Sequence, residues 1–329
     1  MKVLHMSFHT GCQNDIEYMA KELNLDLTFM EFDDGITKTN TKYNIGHKRA
    51  EDCWNKYKDY FNTFDLVITS DTAPISRVFL QHNFSKKLII WVCNRFDYYD
   101  SASLDCKFPD EEYYQLISSI KNKPNVIIAG NSFFENYYAK NIKNTDIGSL
   151  VIKPIGCMSK LYENYNNTDV ENKNETFFIP QYHNETILMN LHSKLTELNI
   201  KSFNGRHGGL KDLQQFKGII HIPYAWSTIS MYESFHLGMI YFIPSITFIM
   251  TLSGSGNFWF QPPFSKELLK LSEWYNDDNK ENFVYFDSWE DLKNKINSTD
   301  YGLKKQLILS FAKEHCNKQL DMWRKYILS

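Results

Sequence analysis

The chain has no stretch dominated by lysine and arginine, no unbroken apolar run long enough to span a bilayer, and no paired-cysteine motif. Each absence removes a class of function. A nucleic-acid groove needs a basic face, and none is visible in the linear sequence of 329 residues, whose formal net charge is −3. The most apolar segment, residues 237–252, is interrupted by Pro244 and carries Ser245 and Thr247, so no membrane span is expected. Residues 1–8 are apolar but short and broken by His5, which does not fit a secretory signal. The six cysteines are scattered without a C-x-x-C pair, which argues against a disulfide framework and a zinc cluster. Reduced thiols and a cytoplasmic location are the expectation.

Catalytic signatures are missing too. No G-x-G-x-x-G follows the first strand, which disfavours a nicotinamide dehydrogenase, and there is no P-loop and no G-x-S-x-G nucleophile turn. No alternating D-x-D carboxylate pair sits in a convincing loop, Asp33-Asp34 being adjacent. Chemistry without a metal or other cofactor is therefore expected.

What is present is a two-domain grammar. Apolar residues make up 43% of the chain, enough for two cores. Short apolar runs at 2–6, 25–32, 65–69, 88–93 and 125–129 suit strands buried on both faces, and 111–121 has helical spacing. A last strand is expected at 150–155. The Asn-rich stretch 157–175 reads as a linker between residues 1–156 and residues 176–300. The second half repeats the pattern, with strands expected at 176–179, 200–203, 218–222, 239–243, near 246–252, and at 283–286. Helices are expected around 187–198, at 227–237 and at 289–296, the last with Asp287 and Glu290 as a capping box. Residues 301–329 form a long helical pattern. Two α/β halves of this kind predict two Rossmann-like domains facing a cleft, with ligands at the carboxyl ends of the strands.

The most informative stretch is HIPYAWSTISMYESFHLGMIYFIPS, residues 221–245. A strand ends near Pro223, and Ser227 or Thr228 can cap the helix that follows. A helix start offers free N–H groups and a positive dipole end to a diphosphate. Glu233 lies within that helix and Gly238 ends it.

This segment resembles the donor-binding segment of GT-B glycosyltransferases, especially the retaining type. Glu233-Ser234-Phe235-His236-Leu237-Gly238 matches that family's glutamate and glycine at their spacing. The resemblance implies a nucleotide-sugar donor, a glycan or other hydroxyl acceptor, and Glu233 on the ribose hydroxyls. It also implies a C-terminal helix that packs back towards the first domain, with Trp323 as an anchor. The sequence departs from the family at Ala225, where an earlier glutamate is usual, and at Pro180-Gln181-Tyr182-His183, where an Arg and a Lys are usual. Arg206 in the glycine-rich loop 204–209 can supply the missing charge, with His207 and Lys211 beside it.

Other candidates follow expected strands. His9 can serve as general base and Gly11 lets the backbone approach phosphates. Asn94, Arg95, Asp97 and Asp71 are candidate substrate contacts, Asp71 being equally placed to cap the next helix. Ser255, in the loop Ser253-Gly254-Ser255-Gly256-Asn257, can close over the donor. The expected activity is metal-independent sugar transfer. A catalytically silent nucleotide- or carbohydrate-binding protein on the same fold is the alternative.

Overall fold

A computed structural model describes residues 1–30, 45–98, 110–157, 175–180, 189–205, 210–253 and 265–328. The chain divides into two compact units, Met1–Ser159 with Lys318–Ser329, and Lys160–Asn317.

The first unit is a parallel five-stranded sheet. Its strands are β1 (Lys2–Met6), β2 (Asp26–Met30), β3 (Leu66–Asp71), β4 (Lys87–Val92) and β5 (Val126–Gly130), in the order β2-β1-β3-β4-β5. Helices α1 (Thr10–Glu22), α2 (His47–Phe61), α3 (Arg77–Leu80) and α4 (Glu111–Ser118) connect them, and α5 (Phe133–Tyr137) follows β5. β3 and β4 are buried almost throughout, because the sheet is covered on both faces. Val67, Leu88 and Ile90 meet Phe61, Phe79 and Phe84 in one core cluster.

Helix α1 starts at Thr10, before the expected start near Asn14, because His9 caps it. Its backbone is extended and its ring accepts from Gly11 N–H. The expected strand at 150–155 reduces to one bridge, Gly130 with Val151, where Gly130 exchanges both backbone bonds with Leu150 and Ile152. Residues 318–328 of the last helix belong to this unit. There Trp323 is buried edge-on against Trp91, with ring centroids 5.7 Å apart.

The second unit repeats the plan. Strands β6 (Phe177–Pro180), β7 (Ser202–Gly205), β8 (Gly218–Ile220), β9 (Tyr241–Pro244) and β10 (Phe283–Phe286) are parallel, in the order β10-β9-β8-β6-β7. Counted from each unit's first strand, both sheets have the order 2-1-3-4-5 of doubly wound folds. The helices are α6 (Leu191–Glu197), α7 (Leu210–Leu213), α8 (Ile229–Phe235), α9 (Ile246–Leu252), α10 (Lys266–Leu269), α11 (Trp289–Ser298) and α12 (Tyr301–Leu328).

Two expectations are corrected here. Residues 246–252 form helix α9, not a strand. Pro244 closes β9, and the Ser245 hydroxyl caps α9 by accepting from Phe248 N–H at 3.2 Å. The expected capping box of α11 moves by one residue. Ser288 is the N-cap, accepting from Asp291 N–H, while the Asp291 carboxylate accepts from Asp287 N–H. Among the described residues no helix is long and apolar enough to cross a membrane.

Candidate functional site

In a 2-1-3-4-5 sheet the crevice opens where the connections change direction, outside the carboxyl ends of the first and third strands. In the second unit these are β6 and β8. The segment leaving β8 is residues 221–228, the stretch that the sequence singles out.

Interior hydrogen bonds hold this segment. Ala225 C=O accepts from the Trp274 indole at 3.0 Å, and Trp226 C=O accepts from Glu273 N–H at 2.8 Å. The His221 ring stacks on Trp274, centroids 4.4 Å apart. Helix α8 then begins. Thr228 occupies its N-cap position with extended backbone, but its hydroxyl makes no capping bond. The Ser227 hydroxyl is buried without a hydrogen-bond partner among the described residues. A buried hydroxyl of this kind is costly unless a ligand or water meets it. α8 is shorter than the expected helix because Gly238, with φ 66°, turns the chain back after Phe235.

The inner face of α8 is anchored by a buried carboxylate. Tyr232 donates its hydroxyl to Glu273 Oε2 at 2.5 Å, and Asn279 Nδ2 donates to the same oxygen at 2.8 Å. Burial and the Glu273 charge push the Tyr232 phenol well up, so it stays a donor. His315 stacks on Tyr232 at 4.6 Å. This network fixes the rotation of α8 and leaves the next residue, Glu233, half-buried. Sequence reading found Glu233 but missed Tyr232, Glu273 and Asn279. Their link spans about forty positions and leaves no local motif.

In the first unit the corresponding strands are β1 and β3. His9 is exposed at the α1 start, and its Nδ1 takes the Gly11 N–H at 3.1 Å. Gly11 N–H is thus engaged in this conformation. Behind it, buried His5 bonds the Ser70 hydroxyl at 2.8 Å, and burial drops the His5 pKa to about 3, keeping the ring neutral. Burial works to raise the Cys12 thiol. Hydrogen bonds with Cys93, His9 and Ser70 and the charge of His9 outweigh it, bringing the thiol down to about 6. Cys93 beside it is pushed well up, by burial first and then by Cys12.

Asp71, φ 73°, ends β3 in the left-handed region, and its carbonyl receives the N–H groups of Cys93 and Asn94. It does not cap the following turn, whose N-cap is Thr72. Arg95, φ 41°, ion-pairs with buried Glu135 and lies over the Phe134 and Tyr138 rings. Asp97 accepts from the Tyr114 hydroxyl at 2.6 Å and pairs with Lys143 at 3.1 Å. Arg95 and Asp97 are therefore held by their own unit. Beside them, the side-chain oxygens of Thr72 and Ser132 and the Asn131 Oδ1 are buried without hydrogen-bond partners among the described residues. Asn131 and Ser132 escaped the sequence reading, since single polar residues after apolar runs carry no spacing signal.

Arg206, His207 and Ser255 lie outside the described residues, as does the side chain of Lys211. No group of three or more His, Cys, Asp or Glu able to hold a metal occurs among the described residues.

No family model and no curated protein matches this sequence. Solved structures do align along its length. A UGT transferase from Siraitia grosvenorii in complex with UDP aligns with TM-score 0.49 and 6% identity, covering 100% of both chains. A putative UDP-N-acetylglucosamine 2-epimerase from Listeria monocytogenes aligns with TM-score 0.49 and 11% identity, covering 99% of this chain and 96% of that one. The UDP-GlcNAc 2-epimerase from Neisseria meningitidis bound to UDP-GlcNAc gives TM-score 0.44 and 10% identity, covering 100% of both.

Proposed function

We propose that the protein is a GT-B nucleotide-sugar glycosyltransferase that binds its donor through the second unit and transfers the sugar to a hydroxyl acceptor without a metal. The observation that carries this reading is the position of residues 221–233. They leave the sheet at its switch point and run into a helix whose cap position makes no side-chain bond, beside the partnerless Ser227 hydroxyl.

In this reading the α8 start and the Ser227 and Thr228 hydroxyls receive the diphosphate, and Glu233 accepts the ribose hydroxyl protons. Arg206, His207 and Lys211 add the positive charge that stabilises the departing diphosphate. The acceptor oxygen attacks the anomeric carbon as the sugar–phosphate bond breaks. If configuration inverts, His9 takes the acceptor proton on Nδ1, which gives up the Gly11 N–H; if it is retained, His9 hydrogen-bonds the sugar and the departing diphosphate takes the proton. Gly11, Asn94, Asp71 and Ser255 line the substrate, while Arg95 and Asp97 shape the 93–98 loop.

Calorimetric titration of the full chain with a panel of nucleotides and nucleotide sugars tests this. Glu233→Ala is expected to weaken the best binder by about 1–3 kcal/mol, the scale of lost hydrogen bonds to a charged group. Unchanged affinity would remove Glu233 from the site. The departure at Ala225 favours a second reading, a silent nucleotide- or carbohydrate-binding protein. Tight binding without transfer or hydrolysis in an acceptor mixture selects it.

A further inference from the structure

A cavity of about 320 Å³ opens in the second unit at the amino ends of β8 and β9, the opposite edge of the sheet from the α8 start. Lys217, Lys305, Gln214, Phe216, Tyr301 and Gly238 are among the residues that line it. Its size suits a small organic ligand, near the lower end of the roughly 300–1,000 Å³ usual for such sites.

The charges in it have one sign. Lys217 is half-buried, with Nζ 4.9 Å from the Tyr301 ring centroid and 6.0 Å from that of Phe177. Among the described residues no carboxylate ion-pairs with Lys217 or Lys305, although other lysines of the chain have such partners. The carbonyls of Tyr232, Ser234 and Phe235 at the end of α8 accept from the N–H groups of residues 236–239. The aromatic part of the wall is equally committed. The Tyr301 hydroxyl donates to Ile296 C=O at 3.0 Å, so its ring, not its polar tip, serves the cavity. Gly238 lets the Lys305 stem pack closely against the wall, since a Cβ there would meet Lys305 Cγ at 2.6 Å. Two ammonium groups without a carboxylate partner among the described residues, that of Lys217 lying over aromatic rings, select an anion with an organic body.

We propose that this cavity is a second ligand site that binds a small phosphomonoester, with its phosphate between Lys217 and Lys305 and its organic part against Phe216 and Tyr301. The site is independent of the donor reading. It faces the other edge of the sheet and shares none of its residues.

Titrating the full-length protein with phenyl phosphate at low ionic strength tests the assignment, with phenol as the uncharged comparison. Saturable binding is expected for phenyl phosphate and not for phenol. Lys217→Met and Lys305→Met keep the apolar stems and remove the charges. Each is expected to weaken binding, and the double variant by about tenfold or more. Lys305 is exposed, so its single variant keeps the test valid if replacing Lys217 disturbs folding. Glu233→Ala is expected to leave phenyl phosphate affinity unchanged. The proposal fails if phenyl phosphate does not saturate, if phenol binds equally well, or if the lysine variants bind as the parent does. A loss of binding in Glu233→Ala also overturns it, because it moves the ligand to the other edge of the sheet.

Discussion

At the carboxyl ends of its strands the first unit carries paired charges, whereas the second carries aromatic rings and a buried carboxylate served by neutral donors. Arg95 with Glu135 and Asp97 with Lys143 mark the first arrangement. Tyr232 and Asn279 on Glu273 mark the second. One strand order thus supports two electrostatic designs. In the first, positive backbone angles at Asp71 and Arg95 accompany the ion pairs. In the second, Gly238 takes the positive angle after α8 and Asn199 the one after α6. Left-handed conformations at non-glycine residues persist where surrounding contacts enforce them, and the pairs around β4 and β5 supply such contacts.

The largest loss is expected from Arg95→Ala. Glu135 is 2% exposed at the ion pair and would lose its counter-charge. Burial already pushes the Glu135 carboxyl up, against the pull of Arg95. The expected loss of stability is about 3–5 kcal/mol, read from chemical denaturation. Replacing both partners, as Arg95→Met with Glu135→Leu, should recover most of it, since no buried charge is left alone. A loss below about 1 kcal/mol for Arg95→Ala would show a solvated surface pair instead.

The central strands of both units were legible because β3, β4, β8 and β9 are short apolar runs buried on both faces. β1 lies where expected, and β3, β4 and β5 fall within two residues of their expected ends. Helix α2 was not legible. Its buried residues, Arg49, Ala50, Cys53 and Phe61, include a charged one, and most of the remaining face is polar. Residues 246–252 misled because Ile and Thr favour strands, while the Ser245 cap decided for a helix. At the candidate site the helix carrying Glu233 was legible, though it ends at Phe235 rather than at residue 237. The groups that orient it were not, since Glu273 and Asn279 reach Tyr232 only through the fold. The same holds for Glu135, forty positions from Arg95.

A smaller effect is expected from Tyr232→Phe. The Glu273 carboxylate loses one donor and keeps the Asn279 amide at 2.8 Å. The cost should be about 1.5–3 kcal/mol, the range for a hydrogen bond to a charged group. Urea denaturation measures it. The comparison between the units predicts that this loss stays below that of Arg95→Ala. A reversed order would mean that the neutral-donor network is the more tightly bound of the two.

Gly238→Ala is expected to have the smallest effect, and it tests the backbone side of the comparison. Gly238 adopts φ 66°, a conformation that a residue with a Cβ enters at a cost of about 1–2 kcal/mol. The added methyl would also meet the Lys305 stem, with Cγ at 2.6 Å and Cε at 3.1 Å. Lys305 is exposed and flexible, so the stem can swing aside and the backbone term should dominate. A loss of stability near that range, unchanged when Lys305 is shortened to Ala, assigns the cost to the left-handed turn. If shortening Lys305 abolishes the loss, the crowding was the cause. The glycine would then be required for the packing of α12 rather than for the turn that ends α8.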